Sequence, residues 1–110
     1  MISIEILSDP ICPWCFIAKT WFDRALEVSP EQTFQISWKP FQLNPNMPNG
    51  GMNRKNYLEK KFGGRNQALE AYRPIVETSV KTKITINFEA IEFTPNTLDA
   101  HRLIYWGGIE

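Results

Sequence analysis

Cysteine is scarce in this chain, which contains two, Cys12 and Cys15, among 110 residues. Two cysteines are too few for the framework of several disulfides that holds many small secreted proteins together. Basic residues are not in excess either, because twelve Lys and Arg balance twelve Asp and Glu. This balance argues against a nucleic-acid partner, which usually requires a strongly basic surface. A 43% apolar and 22% charged composition is that of an ordinary globular domain.

The chain also lacks any apolar run near the ~20 residues that a membrane-spanning helix needs, so no membrane partner is expected. Met1 leads directly into a strand-like pattern, without the basic segment and small-residue cleavage site of a secretory signal. We therefore expect a cytoplasmic protein. In that reducing compartment, a pair of cysteines is more typical of catalysis or metal binding than of a structural disulfide.

What the chain does have is the motif Cys12-Pro13-Trp14-Cys15, placed between two different hydrophobic patterns. Residues 2–7 are mostly β-branched or apolar and predict a buried strand. From position 13 to about position 28, apolar residues recur every three or four positions, which predicts an amphipathic helix. The motif therefore lies where a strand ends and a helix begins.

This placement gives the two cysteines a chemical role. A thiol at the start of a helix meets the partial positive charge of unpaired N–H groups, which favours the thiolate. The thiolate attacks disulfides, and a second thiol three residues on can resolve the mixed disulfide. We interpret Cys12 and Cys15 as a catalytic pair for thiol–disulfide exchange.

A zinc site is the alternative use of such a pair. Zinc in proteins usually takes about four ligands, and His101 is the other soft ligand that the chain offers. We therefore expect no metal, and the exchange chemistry requires no organic cofactor.

The remaining patterns complete the outline of an α/β fold. Alternation of apolar and polar residues over 34–41 predicts a second strand, parallel to the first, so that strand, helix and strand form a βαβ unit. Beyond it we expect a loop over 44–53, a helix over 56–62 ended by Gly63, and a helix over 66–80 kinked or broken at Pro74. A strand or extended segment over 82–93 and a last helix from Leu98 to about Trp106, ended by Gly107, would follow.

Several segments resemble the DsbA-like thioredoxin superfamily, and most of all its FrnE branch of dithiol–disulfide isomerases and oxidoreductases. The resemblance covers most of the chain. It is carried by the stretch from Ser8 to Ile17, by residues 41–45, by the helical run 57–63 and by residues 96–103.

The resemblance implies a thioredoxin-like fold with a helical insertion after the second strand. Residues 1–44 would form the N-terminal βαβ half, and residues 45–110 would form part of the insertion. Family members are considerably longer and complete the sheet in a second half, before which this chain would be truncated. An incomplete sheet would leave Trp21 and Trp38 poorly covered, so we expect a homo-oligomer or a domain swap.

The resemblance also implies roles for single residues. Cys12 would be the nucleophile and Cys15 the resolving thiol, with protein or peptide disulfides, and glutathione, as partners. Pro13 and Trp14 would tune the pair. Asp9, which precedes the motif, would either cap the turn or tune the thiols, because a nearby carboxylate raises a thiol pKa.

Three residues are candidates for substrate binding. The resemblance implies that the helix of His101 borders the cleft, although a surface or buried core histidine is the simpler interpretation. Phe41 and Leu43 would line an apolar groove for peptide, although ordinary packing is again the simpler interpretation. The four tryptophans are most simply core residues.

Two further function classes remain open at this point. One is a glutathione-dependent transferase or isomerase of the kappa-class or hydroxychromene-carboxylate type, in which a serine commonly stands where Cys12 is. The other is a non-catalytic binding module, because an isolated half would lack the loop that presents substrate and can be inactive on its own.

Overall fold

The computed structural model describes residues 1–109 and begins with the expected strand, helix and strand. Strand β1 spans Ile2–Ser8, helix α1 spans Pro13–Glu27 and strand β2 spans Phe34–Pro40. Proline is well placed at the start of α1, where its missing N–H would have no partner within the helix. The mixed α/β fold predicted from the sequence is confirmed.

Strands β1 and β2 pair in parallel, as predicted. The register runs from Ile2 opposite Phe34 to Ser8 opposite Pro40. Because the strands are parallel, their carboxyl ends meet at one edge of the sheet. The residues that follow them, Asp9 and Phe41, therefore emerge side by side, next to the start of α1.

The chain divides into two compact units. The first contains residues 1–45 and 97–110, and the second contains residues 46–96. The sequence analysis placed a boundary after residue 44 and assigned everything beyond it to one insertion. The structure differs for the last segment, which belongs to the same unit as the two parallel strands.

The second unit consists mainly of two helices, α2 (Arg54–Phe62) and α3 (Arg65–Thr82). Strand β3 (Met52–Asn53) pairs antiparallel with β4 (Phe93–Thr94), and a short 3₁₀ helix covers Phe88–Ala90. Gly63 ends α2 with a φ of 89°, the left-handed conformation that glycine adopts readily. This stop signal was predicted from the sequence.

Helix α3 does not bury the apolar residues whose repeat predicts it. That repeat consists of Leu69, Tyr72, Val76 and Val80, whereas the structure buries Ala68, Ile75, Ser79 and Thr82 and leaves Leu69, Val76 and Val80 exposed. The hydroxyls of Ser79 and Thr82 donate to the carbonyls of Val76 and Thr78, at 2.8 and 2.6 Å. Short polar side chains satisfied in this way can be buried at little cost, which an apolar pattern cannot reveal.

Pro74 does not break α3, which continues through it as one element. The missing N–H deprives the carbonyl of Glu70 of its partner within the helix. Both Pro74 and Glu70 are exposed, so water can bond to that carbonyl.

Helix α4 (Leu98–Ile109) closes the first unit and is longer than predicted, because it continues through Gly107 and Gly108. Glycine weakens a helix by about 1 kcal/mol without forbidding it, and neither Gly107 nor Gly108 has the positive φ of a helix-ending glycine. Thr97 precedes the helix, and its carbonyl accepts a hydrogen bond from the backbone N–H of His101 at 2.9 Å. The side-chain amide of Asn96 donates to the carbonyl of Met47.

The tryptophans are not core residues, contrary to the sequence-based expectation. Between 43% and 60% of the surface of each one is exposed. They are Trp14, Trp21, Trp38 and Trp106. In the described part of the first unit, the sheet has two strands and Ile17 is the one buried apolar side chain, so few neighbours can cover such large side chains.

Within residues 1–109, no helix is both long and apolar enough to cross a membrane.

Candidate active site

The two cysteines occupy the first turn of α1. Cys12 is the N-cap residue, with extended backbone angles, and its Sγ accepts a hydrogen bond from the backbone N–H of Cys15 at 3.4 Å. Both thiols are free and partly exposed to solvent. An N-cap side chain normally satisfies a helical N–H through an oxygen. Here the Cys12 sulfur takes that role, so a hydrogen bond links the first turn of the helix to the thiol.

Between the cysteines, Pro13 starts the helix and Trp14 leaves 44% of its surface exposed. The backbone N–H of Trp14 also bonds to the Cys12 sulfur and lowers the pKa of Cys12. The motif thus supplies main-chain donors to its own first sulfur, while the tryptophan ring lies beside the pair at the surface.

The helix terminus does not by itself decide which sulfur is ionised. Burial raises the pKa of the Cys12 thiol, the hydrogen bond and charge of Cys15 raise it further, and the donors from Cys15 N and Trp14 N only partly compensate. Burial also acts to raise the pKa of Cys15. It is outweighed by hydrogen bonds from the backbone of Asp9 and the side chains of Cys12 and Ser8, which lower this pKa despite the repulsive Asp9 charge.

The pKa of Cys15 therefore lies below that of an ordinary thiol, and the pKa of Cys12 lies above it. This differs from the simple helix-terminus argument, which favours ionisation of Cys12. The reason is that Cys15 receives donors from the end of β1 that a local pattern does not show. Ser8 is the residue that the sequence analysis missed, and its position as the last residue of β1 is the signal that could have identified it.

A buried acid–imidazole pair lies behind the dithiol. Asp9 is 1% exposed and His101 is 7% exposed, and Asp9 Oδ1 lies 3.5 Å from His101 Nε2. The same Nε2 lies 3.0 Å from the carbonyl oxygen of Phe41. The other Asp9 oxygen, Oδ2, accepts from the backbone N–H of Leu43 at 2.8 Å. The structure therefore brings together residues that the sequence analysis had singled out separately.

Phe41 and Leu43 take part in this pair through their main chains, and about half of each residue's surface is exposed. His101, in contrast, is buried. An open groove of about 390 Å³ runs along this side of α4. It is lined by Pro40, Gln42, Leu98, His101, Arg102, Tyr105 and Trp106.

Among residues 1–109, no group of three or more His, Cys, Asp and Glu is arranged to hold a metal ion.

A parallel strand pair with a dithiol at the helix N-terminus defines a thioredoxin-type site. The chain belongs to the family of DSBA-like thioredoxin domains, whose family model matches residues 3–110. This result confirms the DsbA-like resemblance seen in the sequence.

Two relatives show how much of such proteins this chain represents. An uncharacterized protein of Bacillus subtilis (strain 168), YwbO, is 27% identical over 96 residues, which are 87% of this chain and 42% of that protein. The crystal structure of a probable DsbA oxidoreductase from Streptomyces coelicolor matches with a TM-score of 0.80 and 24% identity. That match covers 96% of this chain and 46% of the other. The chain therefore spans less than half the length of each.

Proposed function

We propose that this chain carries the dithiol of a thiol–disulfide oxidoreductase of the FrnE type, which exchanges with disulfides of proteins or peptides. The observation that carries the proposal is the pair of free, partly exposed thiols in the first turn of α1, where the backbone N–H of Cys15 bonds to the Cys12 sulfur at 3.4 Å. Membership of the DSBA-like family supports it. Glutathione is a further candidate partner, since its thiol and disulfide undergo the same chemistry.

The reaction starts from the dithiol that has lost one proton. The remaining proton is transferred from Cys12 to Cys15, which leaves the thiolate on Cys12. That thiolate attacks one sulfur of the substrate disulfide, so that a mixed disulfide forms and the other substrate sulfur leaves as a thiolate.

Cys15 completes the reaction. After losing its proton it attacks the Cys12 sulfur of the mixed disulfide, which releases the second substrate thiolate and closes the Cys12–Cys15 disulfide. Two electrons pass from the protein dithiol to the substrate disulfide. The Asp9 backbone and the Ser8 side chain lower the pKa of Cys15 independently of the Cys12 thiol, and this favours the attacking thiolate in the second step.

Reduction of insulin disulfides with dithiothreitol as electron donor tests the proposal. We expect turnover with the wild-type chain, none with Cys12→Ser, and with Cys15→Ser a covalent adduct between Cys12 and insulin that mass spectrometry detects. Asp23→Ser is a matched control, because Asp23 is an exposed residue of the same helix that pairs with Lys19 at 2.6 Å. It should retain wild-type turnover.

Two results would contradict the proposal. One is a Cys15→Ser variant that forms no adduct through Cys12. The other is activity that survives Cys12→Ser and depends on added glutathione, which would instead indicate a glutathione-dependent transferase.

A further inference from the structure

Asp9 closes the turn that leads from β1 into α1. Its main-chain carbonyl accepts from Cys12 N at 3.0 Å, and its Oδ1 accepts from Ile11 N at 3.4 Å. The neighbours of these two residues, Pro10 and Pro13, have no N–H group and a fixed φ. Asp9 therefore accepts from both main-chain N–H groups that this stretch of chain offers.

This turn, residues 9–12, sets the position of the Cys12 sulfur. Cys12 is the N-cap of α1, with a φ of −89° and a ψ of 112°, and its Sγ accepts from Cys15 N at 3.4 Å. Different backbone angles at Cys12 would swing its sulfur away from the first turn of the helix. Because Cys15 lies in that first turn, the shape of the 9–12 turn decides how close the two sulfurs are.

The Asp9 side chain is fixed from outside the turn. It is 1% exposed, and its Oδ2 accepts from Leu43 N, 34 positions along the chain, at 2.8 Å. The same loop after β2 donates a second bond, from Phe41 N to the Ser8 carbonyl at 3.2 Å. A buried carboxylate that lost such a donor could not replace it with water, which is costly. The side chain is therefore held in one orientation.

Helix α4 bonds to the same loop. Its buried residue, His101, places Nε2 3.0 Å from the Phe41 carbonyl oxygen and 3.5 Å from Asp9 Oδ1. The carbonyl can only accept, so Nε2 carries a hydrogen. The carboxylate thus lies among the N–H groups of Ile11, Leu43 and His101, and it connects the turn to the loop after β2 and to α4.

We propose that Asp9 is a positioning residue for closure of the Cys12–Cys15 disulfide, because its buried carboxylate holds the 9–12 turn in the shape that keeps the two sulfurs together. The inference rests on the proposed function and concerns its second step. In that step the Cys15 thiolate forms a bond to the Cys12 sulfur, the bond from Cys12 to the substrate sulfur breaks, and the substrate leaves as a thiolate. Asp9 takes neither a proton nor an electron, and acts by keeping the attacking sulfur within reach of the attacked one.

The first test measures the effective concentration of Cys15 toward the mixed disulfide between Cys12 and glutathione. The chain is equilibrated with reduced and oxidised glutathione and quenched with acid. Mass spectrometry then gives the amounts of mixed and internal disulfide, and their ratio at a known concentration of reduced glutathione is the effective concentration.

Two variants separate the placement of the carboxylate from its charge. Asp9→Asn keeps an oxygen for the bond from Leu43 N but loses the charge, whereas Asp9→Glu keeps the charge but moves the carboxylate by one methylene. We expect the effective concentration to stay within about threefold of wild type in Asp9→Asn and to fall about tenfold in Asp9→Glu. A fall in Asp9→Asn as large as that in Asp9→Glu, or no fall in Asp9→Glu, would overturn the proposal.

Asp23→Glu is the matched control, because it adds the same methylene to an exposed carboxylate of α1 that pairs with Lys19. It should leave the effective concentration unchanged. A fall in Asp23→Glu equal to that in Asp9→Glu would mean that the added methylene acts through the helix in general, and it would overturn the role of Asp9.

The same measurement over a range of pH separates placement from thiol ionisation. A change in placement alters the effective concentration by the same factor at every pH, whereas a change in ionisation alters it only where the thiols titrate. We expect the first behaviour for Asp9→Glu. A fall confined to the pH range in which the thiols ionise would overturn the proposal.

A second test uses the wild-type chain and does not depend on the folding of any variant. The proposal requires the N–H groups of Cys12 and Leu43 to be bonded to Asp9 in solution. Amide hydrogen exchange, followed by NMR, should be at least about tenfold slower at both positions than in the unfolded chain. Exchange of the Leu43 N–H at the rate of the unfolded chain would show that the loop does not hold the carboxylate, and it would overturn the proposal.

These tests need no protein substrate, so they are independent of the test of the proposed function. If the effective concentrations behave as expected but insulin is not reduced, the proposed function fails while the positioning role stands. If insulin is reduced and Asp9→Glu closes its disulfide as well as the wild type does, the positioning role fails alone.

Discussion

Asp9 shows how much of the site depends on a single residue. Its carbonyl accepts from the backbone N–H of Cys12, and its side chain, 1% exposed, holds the loop that follows β2. The sequence indicated that this residue either caps the turn or tunes the thiols. The two roles use different atoms of the same residue, so they do not exclude each other.

At the residue scale we predict that the two thiols titrate separately. The pKa of Cys15 is lowered and that of Cys12 is raised. As pH falls, the Cys15 thiolate is therefore lost only below the ordinary range of a thiol, whereas the Cys12 thiolate is lost already above it. Iodoacetamide should accordingly modify Cys15 at a lower pH than Cys12.

The control for this titration is the chain unfolded in urea, where both cysteines should react with the pH dependence of a free thiol. Preferential reaction of Cys12 at low pH in the folded chain would contradict the assignment and favour the helix terminus as the dominant influence.

At the element scale, Gly51 offers a test of the antiparallel strand pair. Its φ is 78°, and a Cβ at this position would lie 2.6 Å from the carbonyl oxygen of Thr94 on β4. Gly51→Ala combines backbone strain with a steric clash, so we expect it to lower the free energy of unfolding by ~1–3 kcal/mol. Urea denaturation followed by circular dichroism measures this change.

Gly50 is the matched control, because a Cβ there would meet no atom within 4 Å. Gly50→Ala should change the free energy of unfolding by less than ~0.5 kcal/mol. Equal effects of the two substitutions would mean that the close approach of Gly51 to β4 is not significant in solution.

Elements with strong local signals could be predicted from the sequence, and the others could not. The βαβ order follows from hydrophobic periodicity, and the end of α2 follows from a glycine in the left-handed conformation. The buried face of α3 does not follow from its apolar repeat, because Ser79 and Thr82 satisfy their hydroxyls within the helix. The predicted end of α4 was wrong because a helix can continue through glycine.

The same limit applies to the site. Cys12 and Cys15 could be identified from local sequence, because the motif and the helix start are adjacent. The link between Asp9 and His101 could not, since these residues are 92 positions apart and meet only because α4 lies against the residues that follow β1 and β2.

At the scale of the whole molecule, burial against another surface would stabilise the many exposed apolar side chains. On α4 alone, Leu103, Ile104, Tyr105 and Trp106 each expose more than half of their surface. Covering a large apolar side chain stabilises a protein by roughly 1.5–3 kcal/mol. We therefore expect the isolated chain to associate with itself, in a homo-oligomer or by exchange of an element.

Light scattering coupled to size-exclusion chromatography measures this association over a range of concentrations. Leu103→Glu combined with Trp106→Glu should shift the population toward monomer, whereas Lys81→Glu, on the exposed face of α3, should not. A monodisperse monomer that melts cooperatively in the wild type would refute the expected association.

The central claim is that Cys12 and Cys15 form one redox pair, and its most direct test is equilibration with glutathione redox buffers. After acid quenching, mass spectrometry should show the wild-type chain changing from dithiol to an internal disulfide in one two-electron transition, without retained glutathione. Cys15→Ser should instead carry one glutathione on Cys12. If the two wild-type cysteines gain glutathione independently, or both stay reduced in oxidised glutathione, they are not a redox pair.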